Sequence, residues 1–429
     1  MPLRARRFVG VRLERKKEAS LLNWNLKRPY PPEKIRVALP PDSWPCVHSG
    51  NKVELGQKIA EARSPESVSV HAGMAGVVQL VSVFPDAFGR ESLMVEIRRQ
   101  GEPKVLPMTE TRKGWQETTA KELLWIFQHS GLVVTDRSME PVHGKLQRHP
   151  QARTILINVC EPEPYITCEQ VLTQSHPVEI LRGAELLRNA CGAEKILFAV
   201  EETNLEMIEL LKSKIYFLKW EHVEVRSVPA LYPQGLESTL LQAWFFGGEG
   251  AVVFPASTAF AAYEAVALQK PFYERVVTVA GECVVEPRSL WLPLGISFQD
   301  AIRACKGMMR EPRKVLAGGP MAGFAQTTLE VAVLSGTQAI LALPPEATED
   351  ASVGPCIRCN RCVDHCPVFL LPALITLAVE QQEWALARDW NVSACIECGN
   401  CSYVCPSKRP MLELLRVARG CHAKEVALV

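Results

Sequence analysis

Residues 356–367 read CIRCNRCVDHCP, and residues 395–406 read CIECGNCSYVCP. The two runs are one pattern used twice, with cysteines at 356, 359, 362 and 366 before Pro367 and at 395, 398, 401 and 405 before Pro406. Three cysteines three apart place three thiolates around one tight loop, each backbone step turning toward the same centre. The fourth comes four residues later, where the chain is already leaving, and the proline then removes a backbone donor and turns the chain away. A triplet of this kind grips three corners of an Fe4S4 cube, and the late cysteine reaches over to a neighbouring cube. On this spacing one cluster takes Cys356, Cys359, Cys362 and Cys405, and the other takes Cys395, Cys398, Cys401 and Cys366. The exchange makes two [4Fe–4S] clusters neighbours, as electron tunnelling requires. The residue after each second cysteine is Asn360 or Gly399, the two types that most readily accept a left-handed backbone, so a tight chelating turn is expected there.

Other uses of these cysteines fit less well. Structural zinc takes pairs of ligands, C-x2-C separated from a second pair, whereas these are triplets with a C-P exit. Disulfides belong to oxidising compartments, and the N-terminus MPLRARRFVGVRLERKK has seven basic residues in 17 but no apolar signal core behind them. That stretch reads as a solvated basic tail, or as an arm for acidic headgroups or an acidic partner. The remaining cysteines, Cys46, Cys160, Cys168, Cys191, Cys283, Cys305 and Cys421, are scattered singly and read as free thiols. His365 and His422 lie beside the motif, but thiolates already saturate both cubes. Arg358, Arg361, Lys408 and Arg409 are expected to favour the reduced clusters, with Asp364 and Glu397 opposing them.

Outward from the motif, PPEATEDASVGP at 344–355 is rich in proline and acid and marks a domain boundary. Between the repeats, Leu371–Trp390 carries apolar residues at helical spacing, and Pro410–Ala418 carries a shorter stripe. The first hundred residues differ: β-prone runs at Arg36–Ala38, Lys52–Val53, Ser67–His71 and Gly76–Val83, punctuated by glycine, predict a small all-β unit. From about Leu123 to Pro271 the pattern turns α/β. Thr154–Asn158 and Lys195–Val200 are short apolar strands, followed by helices predicted at Pro177–Ala190 and Asn204–Leu218, an alternation that favours a parallel sheet. Strands at Arg275–Val285 and Val315–Leu316 around a helical Ser297–Lys306 suggest a further α+β unit.

The 429 residues suggest roughly two to four domains, and 47% apolar with 22% charged residues is ordinary for a folded protein. Forty-eight basic against 47 acidic residues gives a net charge of +1 and no pull toward nucleic acid. A membrane span needs about 20 nearly unbroken apolar residues, and the best stretches, Ala251–Leu268 and Val331–Leu343, are interrupted or too short. A cytoplasmic chain is expected, docked if at all on the cytoplasmic face of a membrane through partners.

Several motifs carry a resemblance over nearly the whole length. VHSGNKVELGQKIAE at 47–61, VSVHAGMAGVVQLV at 68–81, NVCEPEPYIT at 158–167, LYPQGLESTLL at 231–241, ERVVTVAGECVVEP at 274–287 and VLAGGPMAG at 315–323, with both cysteine runs, resemble the RnfC family, a component of the Rnf ion-translocating ferredoxin:NAD oxidoreductases. The chain is also similar to the cobalamin reductase of propanediol-degrading microcompartments and to the flavin subunit of complex I. The resemblance implies a multidomain α/β fold: a barrel-sandwich hybrid at 1–115, a complex I flavin-subunit-like α/β domain at 116–272, an SLBB-like β-grasp at 273–345 and an α-helical two-cluster ferredoxin domain at 350–429. No lysine stands in an M-K-M setting, so no swinging arm is implied.

The resemblance further implies an FMN site on a glycine-rich loop that ends in a lysine, where close approach of backbone to phosphate requires glycine. Here that stretch is SGLVVTDRSMEPVHGK, Ser130–Lys145, with only Gly131 and Gly144 kept and side chains of Val133, Val134, Arg137 and Met139 where a nucleotide would lie. A second family element, V-Q-N-V-G-T, stands as VFPASTA at 253–259, with Pro255 for its Asn and Ser257 for its Gly. Asn158, Glu161, Glu163 and Tyr165 survive at an acidic strand end; they are the residues the resemblance assigns to FMN, and they read equally as capping and solvated residues of a strand terminus. Two functions follow. One is an electron-transfer subunit that passes electrons through its clusters to other redox subunits, whether flavoprotein, ferredoxin-like or membrane-bound. The other is an FMN-dependent NAD(P)H dehydrogenase or cobalamin reductase subunit with a modified flavin site. Clusters that serve only to stabilise the fold are a third reading. No catalytic residue can be named.

Overall fold

The computed structural model describes residues 9–101, 111–245, 250–348 and 352–426. The first eight residues of the basic tail, residues 349–351 of the proline- and acid-rich linker, and the side chains of Cys421 and His422 lie outside the described residues.

Short strands with glycine between them make two small sheets at the N-terminal end. One runs Lys34–Ala38, Glu91–Arg99, Gly76–Pro85, Lys52–Val53 in space, all antiparallel; the other runs Ser43–Pro45, Lys58–Ala62, Val70–His71. The run predicted at Ser67–His71 narrows to Val70–His71 because Ser67 turns its hydroxyl to Ser43 and to the Pro41 carbonyl instead of joining a ladder. Ser43–Pro45, Lys58–Ala62 and Glu91–Arg99 are strands that sequence pattern does not reveal: the first is only three residues long, and the alternation of the other two is diluted by lysine, glutamate and arginine.

Apolar runs TILIN, KILFAVE and AVVFP form the parallel sheet, in the order Val223–Val228, Lys195–Glu201, Thr154–Asn158, Ala251–Pro255. Ile155, Leu156 and Ile157 are completely buried, as strands covered on both faces require. Helices Pro177–Cys191 and Ala256–Ala267 pack on one face. Gly183 lets them touch, since a Cβ there would collide with the Ala259 carbonyl. The helix expected from Asn204 starts at Leu205, with the Asn204 side chain accepting from the Met207 N–H at 3.2 Å as its cap.

A five-stranded sheet follows, ordered Arg288–Pro293, Glu274–Ala280, Ala339–Leu343, Lys314–Ala317, Phe324–Gln326. Its helix, Phe298–Ala304, is capped by Ser297. Val277, Val279, Leu290 and Ile340 of this sheet share one buried core with Ile35, Val37, Val95 and Ile97 of the N-terminal unit. The C-terminal module packs several short helices and the longer Met411–Val426 around its own small core. The single helix suggested by Leu371–Trp390 is two, Pro372–Glu380 and Trp384–Asp389. The polar Gln381–Gln382–Glu383 breaks the apolar stripe there, and Gln382 is left-handed with φ 60°. Among the described residues no helix is long and apolar enough to cross a membrane.

Candidate metal centres and the nucleotide loop

The two cysteine runs fold alike. Asn360 and Gly399 take positive φ of 59° and 78°, and each opens a short helix, Arg361–Asp364 or Asn400–Tyr403, that carries the third cysteine inward. Arg358 and Glu397, one residue before each second cysteine, are left-handed as well, at 56° and 54°. Neither side-chain type favours that conformation, so residue identity alone does not foretell it.

Two enclosed cavities result. One is lined by Cys356, Cys359, Cys362 and Cys405 with Ile357, Ala373 and Met411. The other is lined by Cys366, Cys395, Cys398 and Cys401 with Leu370, Ile396, Leu412 and Leu415. Each therefore gathers three thiols from one run and the late thiol from the other. Among the described residues no three ligands close tightly enough to hold a single ion. Backbone N–H groups of Leu370 and Glu397 donate to the Cys366 and Cys395 sulfurs at 3.3 and 3.4 Å. Burial pushes the Cys398 thiol up to about 12 and raises those of Cys362, Cys366, Cys395 and Cys401. Thiolates in such a setting need the positive charge of bound metal. The donor set and the apolar walls fit [4Fe–4S] clusters, which supply one-electron chemistry when bound.

The second cavity lies against the rest of the protein. Tyr232, buried, donates its hydroxyl to the Cys398 carbonyl at 2.6 Å. Gly399 sits so close to Met321 that a Cβ would collide with its carbonyl. Glu397 accepts from Arg137 at 3.2 Å, from Arg416 at 3.0 Å and from Arg419. Glu397 is thus neutralised, and so is Arg409, which is buried against Glu380 at 2.5 Å. The charge balance expected from sequence changes accordingly: Arg358 and Arg361 remain exposed among the basic residues and Asp364 among the acidic ones.

The loop corresponding to the nucleotide cradle is filled from within. Leu132, Val133, Val134 and Thr135 are buried. The Thr135 hydroxyl meets Ser257 Oγ at 2.6 Å and Thr258 Oγ1 at 2.8 Å, and the Ser257 N–H and hydroxyl both donate to the buried carboxylate of Glu169. Arg275, fully buried, donates to the Thr135 carbonyl at 2.9 Å. Arg137 leaves the loop to donate to the Ala322 carbonyl at 2.7 Å as well as to Glu397. Lys145 is engaged by both Glu237 oxygens, at 2.8 and 2.9 Å. A flavin phosphate takes free backbone N–H groups and an unpaired cation; here the N–H groups of Val134, Thr135, Ser138 and Met139 are already bonded within the fold, and Lys145 is paired with Glu237.

The acidic strand end is equally occupied. Asn158 donates to the Gly235 carbonyl at 2.8 Å and accepts from the Cys160 N–H at 3.0 Å. Glu161 accepts from the N–H groups of Glu169 and Gln170 at the start of the helix Cys168–Ser175. Glu163 accepts from Met321 and Ala322 N–H at 2.7 and 3.2 Å, inside the GGPMAG loop. Tyr165 donates to Glu282 at 2.7 Å. Across this end lies the described part of the basic tail. It is not a solvated tail: Val11 pairs with Tyr232, Arg15 donates to Thr203 and bridges Glu201, and Lys17 is buried with its amine on the Glu161 carbonyl. Tyr232, Glu169 and Ser257 carry much of this architecture. Of the three, only Ser257 stands out in the sequence, because polar residues buried by distant segments leave no periodic trace.

The fold and the paired thiol-lined cavities define a multidomain α/β protein with a two-cluster iron–sulfur module. Family models match in chain order: the RnfC barrel sandwich hybrid domain over 8–102, the Nuo51 FMN-binding domain over 127–258, the SLBB domain over 276–325 and a 4Fe-4S dicluster domain over 350–406. The chain is 31% identical to the C subunit of the proton-translocating ferredoxin:NAD(+) oxidoreductase complex of Clostridium ljungdahlii, over 80% of this chain and 77% of that protein. It is 32% identical to the C subunit of the Na(+)-translocating ferredoxin:NAD(+) oxidoreductase complex of Acetobacterium woodii, over 87% of each. It is 33% identical to the C subunit of the ion-translocating oxidoreductase complex of Rhodobacter capsulatus, over 76% of this chain and 65% of that protein. It belongs to this RnfC family. Among solved structures, an NAD+-reducing [NiFe]-hydrogenase in the H2-reduced state superposes with a TM-score of 0.51 at 15% identity, over 71% of this chain and 63% of that one, a likeness of fold.

Proposed function

We propose that the chain is the iron–sulfur electron-transfer subunit of an Rnf-like oxidoreductase complex, carrying electrons through two [4Fe–4S] clusters between a redox partner and the complex's other subunits. Cys356, Cys359, Cys362 and Cys405 hold one cluster; Cys395, Cys398, Cys401 and Cys366 hold the other. What carries the reading is the exchange of the late cysteine between the two cavities. Clusters that merely stabilised the fold would need no such coupling.

In this reading the four units at 1–115, 116–272, 273–345 and 350–429 divide the work. The ferredoxin module conducts, and the flavin-subunit-like body is a scaffold that docks it to its partners, with no FMN of its own. Asn158, Glu161, Glu163 and Tyr165 then act as ties within the body. The chain works in the cytoplasm, peripherally on the membrane through its partners. A second reading, an FMN-dependent NAD(P)H dehydrogenase or cobalamin reductase subunit, is favoured by the match over 127–258 and by the retained Lys145.

One preparation separates them. After anaerobic reconstitution the first reading expects about eight irons per chain and the paramagnetic signal of two coupled reduced centres, with no stoichiometric flavin absorbance and no NADH-dependent dye reduction. Fewer irons or uncoupled centres would overturn it. Tight flavin with fast NADH turnover would establish the second.

A further inference from the structure

The two thiol-lined cavities have unlike surroundings. Around one, the outer site, Cys359 is exposed and Cys356 half-buried; in the other, the inner site, Cys366, Cys398 and Cys401 are each 7% exposed. Residues from the opposite end of the chain close the inner site. Tyr232 is 2% exposed and Val11 8%, and both share one apolar cluster with Cys398, Leu13, Ile396 and Met321.

Tyr232 is gripped at both ends. Its hydroxyl donates to the Cys398 carbonyl at 2.6 Å. Its backbone is clamped by the strap at residues 9–17: the Val11 N–H donates to the Tyr232 carbonyl at 2.7 Å, and the Tyr232 N–H to the Val11 carbonyl at 2.9 Å. Gln234 adds a bond from its amide to the Val9 carbonyl at 2.9 Å. Gly10 permits this approach, since a Cβ there would collide with the Tyr232 carbonyl. Farther along, Arg15 and Lys17 anchor the strap on Glu201 and on the Glu161 carbonyl. The phenol is thus fixed from behind, and its O–H bond turns a positive end toward a ligand residue of the inner site. At the matching position of the first run stands Cys359, open to solvent.

Reduction adds one negative charge to a cluster, and a positive dipole end aimed at it stabilises that charge. The effect is largest where water is excluded and the local dielectric is low. We propose that Tyr232 is a positioning residue of the inner centre: held by the strap at Val11, it turns its hydroxyl onto Cys398 and raises that centre's reduction potential without touching the outer one. The proposal rests on the electron-transfer reading above and adds a residue that sets the two centres apart. A higher inner potential favours passage of an electron from the exposed centre inward.

The test is a potentiometric titration of the reconstituted full chain, with dithionite as reductant, followed by the paramagnetic signals of the reduced centres. At partial reduction the inner signal is the one that a soluble relaxant leaves sharp. Tyr232→Phe keeps the ring in its apolar setting and removes only the hydroxyl. It is expected to lower the inner midpoint by at least about 30 mV, a threefold loss in the reduction equilibrium at about 59 mV per tenfold for one electron. The outer midpoint and the iron content should not change; where the two midpoints overlap in the unsubstituted chain, the same shift draws them apart. Gly10→Val drives the strap from Tyr232 and should let the relaxant broaden the inner signal; should Tyr232→Phe lose iron, this variant carries the test. An inner midpoint that stays or rises in Tyr232→Phe, or both midpoints moving together, overturns the proposal. So does a lower melting temperature with no shift in potential, which would leave Tyr232 a packing residue, or an inner signal still sharp in Gly10→Val. Missing iron in the unsubstituted chain would instead overturn the electron-transfer reading itself.

Discussion

Arg137 donates to the carboxylate of Glu397 across 3.2 Å, joining the loop at 130–145 to the turn between Cys395 and Cys398. The same guanidinium donates to the Ala322 carbonyl, as does Arg416, whose guanidinium lies 3.9 Å from the Phe324 ring centroid. The Arg137 side chain thereby ties the loop at 130–145 to the GGPMAG loop at 318–323 and to the cysteine module.

Glu397 is the hub of that tie, and its loss would take from Arg416, 17% exposed, the carboxylate it pairs with. Breaking a half-buried pair of this kind costs about 1–3 kcal/mol, less than a fully buried one because water reaches Arg137 and Arg419. Glu397→Gln is therefore expected to lower the melting temperature at equal iron content and to speed protease cleavage within 344–355, as the ferredoxin module loosens from the body. Equal melting and cleavage for both proteins would show that the tie contributes nothing.

A second consequence concerns pH. Burial pushes the Glu169 carboxyl up to about 7, against the opposing pull of Ser257 and Arg275 and with help from Glu161. An acid whose folded pKa lies above its unfolded value binds its proton more tightly when folded. Its favourable contribution is thus full below the unfolded pKa and is lost as pH rises through about 7. Glu169→Gln keeps a carbonyl for the Ser257 N–H and removes the titration. Melting curves across this window should fall with rising pH more steeply for the unsubstituted protein than for the variant. Parallel slopes would contradict the assignment.

What could be read from sequence follows from the range of the interactions. The cysteine runs, the parallel strands Thr154–Asn158 and Lys195–Val200 and the helix after Pro177 are local patterns, and each forms close to its expected bounds. The pairing of Cys366 with the Cys395 cavity also follows from spacing, because ligand geometry constrains both runs together. The shared core of Ile35 and Val277, the strap of Val11 over Tyr232 and the Thr135–Ser257–Glu169 network join segments far apart in the chain. Nothing in one sequence marks such contacts in advance. The loop at 130–145 departs from the glycine-rich pattern in sequence, but that departure does not foretell that Arg137 crosses to the cysteine module.

Gly183 illustrates a constraint set wholly by packing. Its φ is ordinary, so alanine is conformationally allowed, and as a helix former alanine would be preferred. The obstacle is the Ala259 carbonyl, which a Cβ would strike. Backbone cannot swing aside as a side chain can, so the two helices must separate, and Gly183→Ala is expected to cost about 3 kcal/mol. Urea titration of the two proteins should give a clearly lower midpoint for the variant; an unchanged midpoint would mean that the helices part freely.

The exchange of ligands between the cysteine runs can be tested by which substitutions act alike. If each centre drew all four thiols from its own run, Cys366→Ala would damage the same centre as Cys356→Ala. In the arrangement proposed here Cys366 shares its cavity with Cys395, Cys398 and Cys401, and Cys405 shares its cavity with Cys356, Cys359 and Cys362. Cys366→Ala and Cys395→Ala should therefore produce one spectrum between them, and Cys405→Ala and Cys356→Ala the other. In each case the coupling of the two reduced centres should disappear and iron should fall from about eight toward about four. The pairs are distinguishable because the centre that survives Cys366→Ala lies at the exposed Cys359 side, and the one that survives Cys405→Ala lies against Tyr232. Only the former should be broadened quickly by a soluble paramagnetic relaxant. A spectrum of Cys366→Ala matching that of Cys356→Ala would refute the exchange, and with it the closeness of the two centres on which conduction depends.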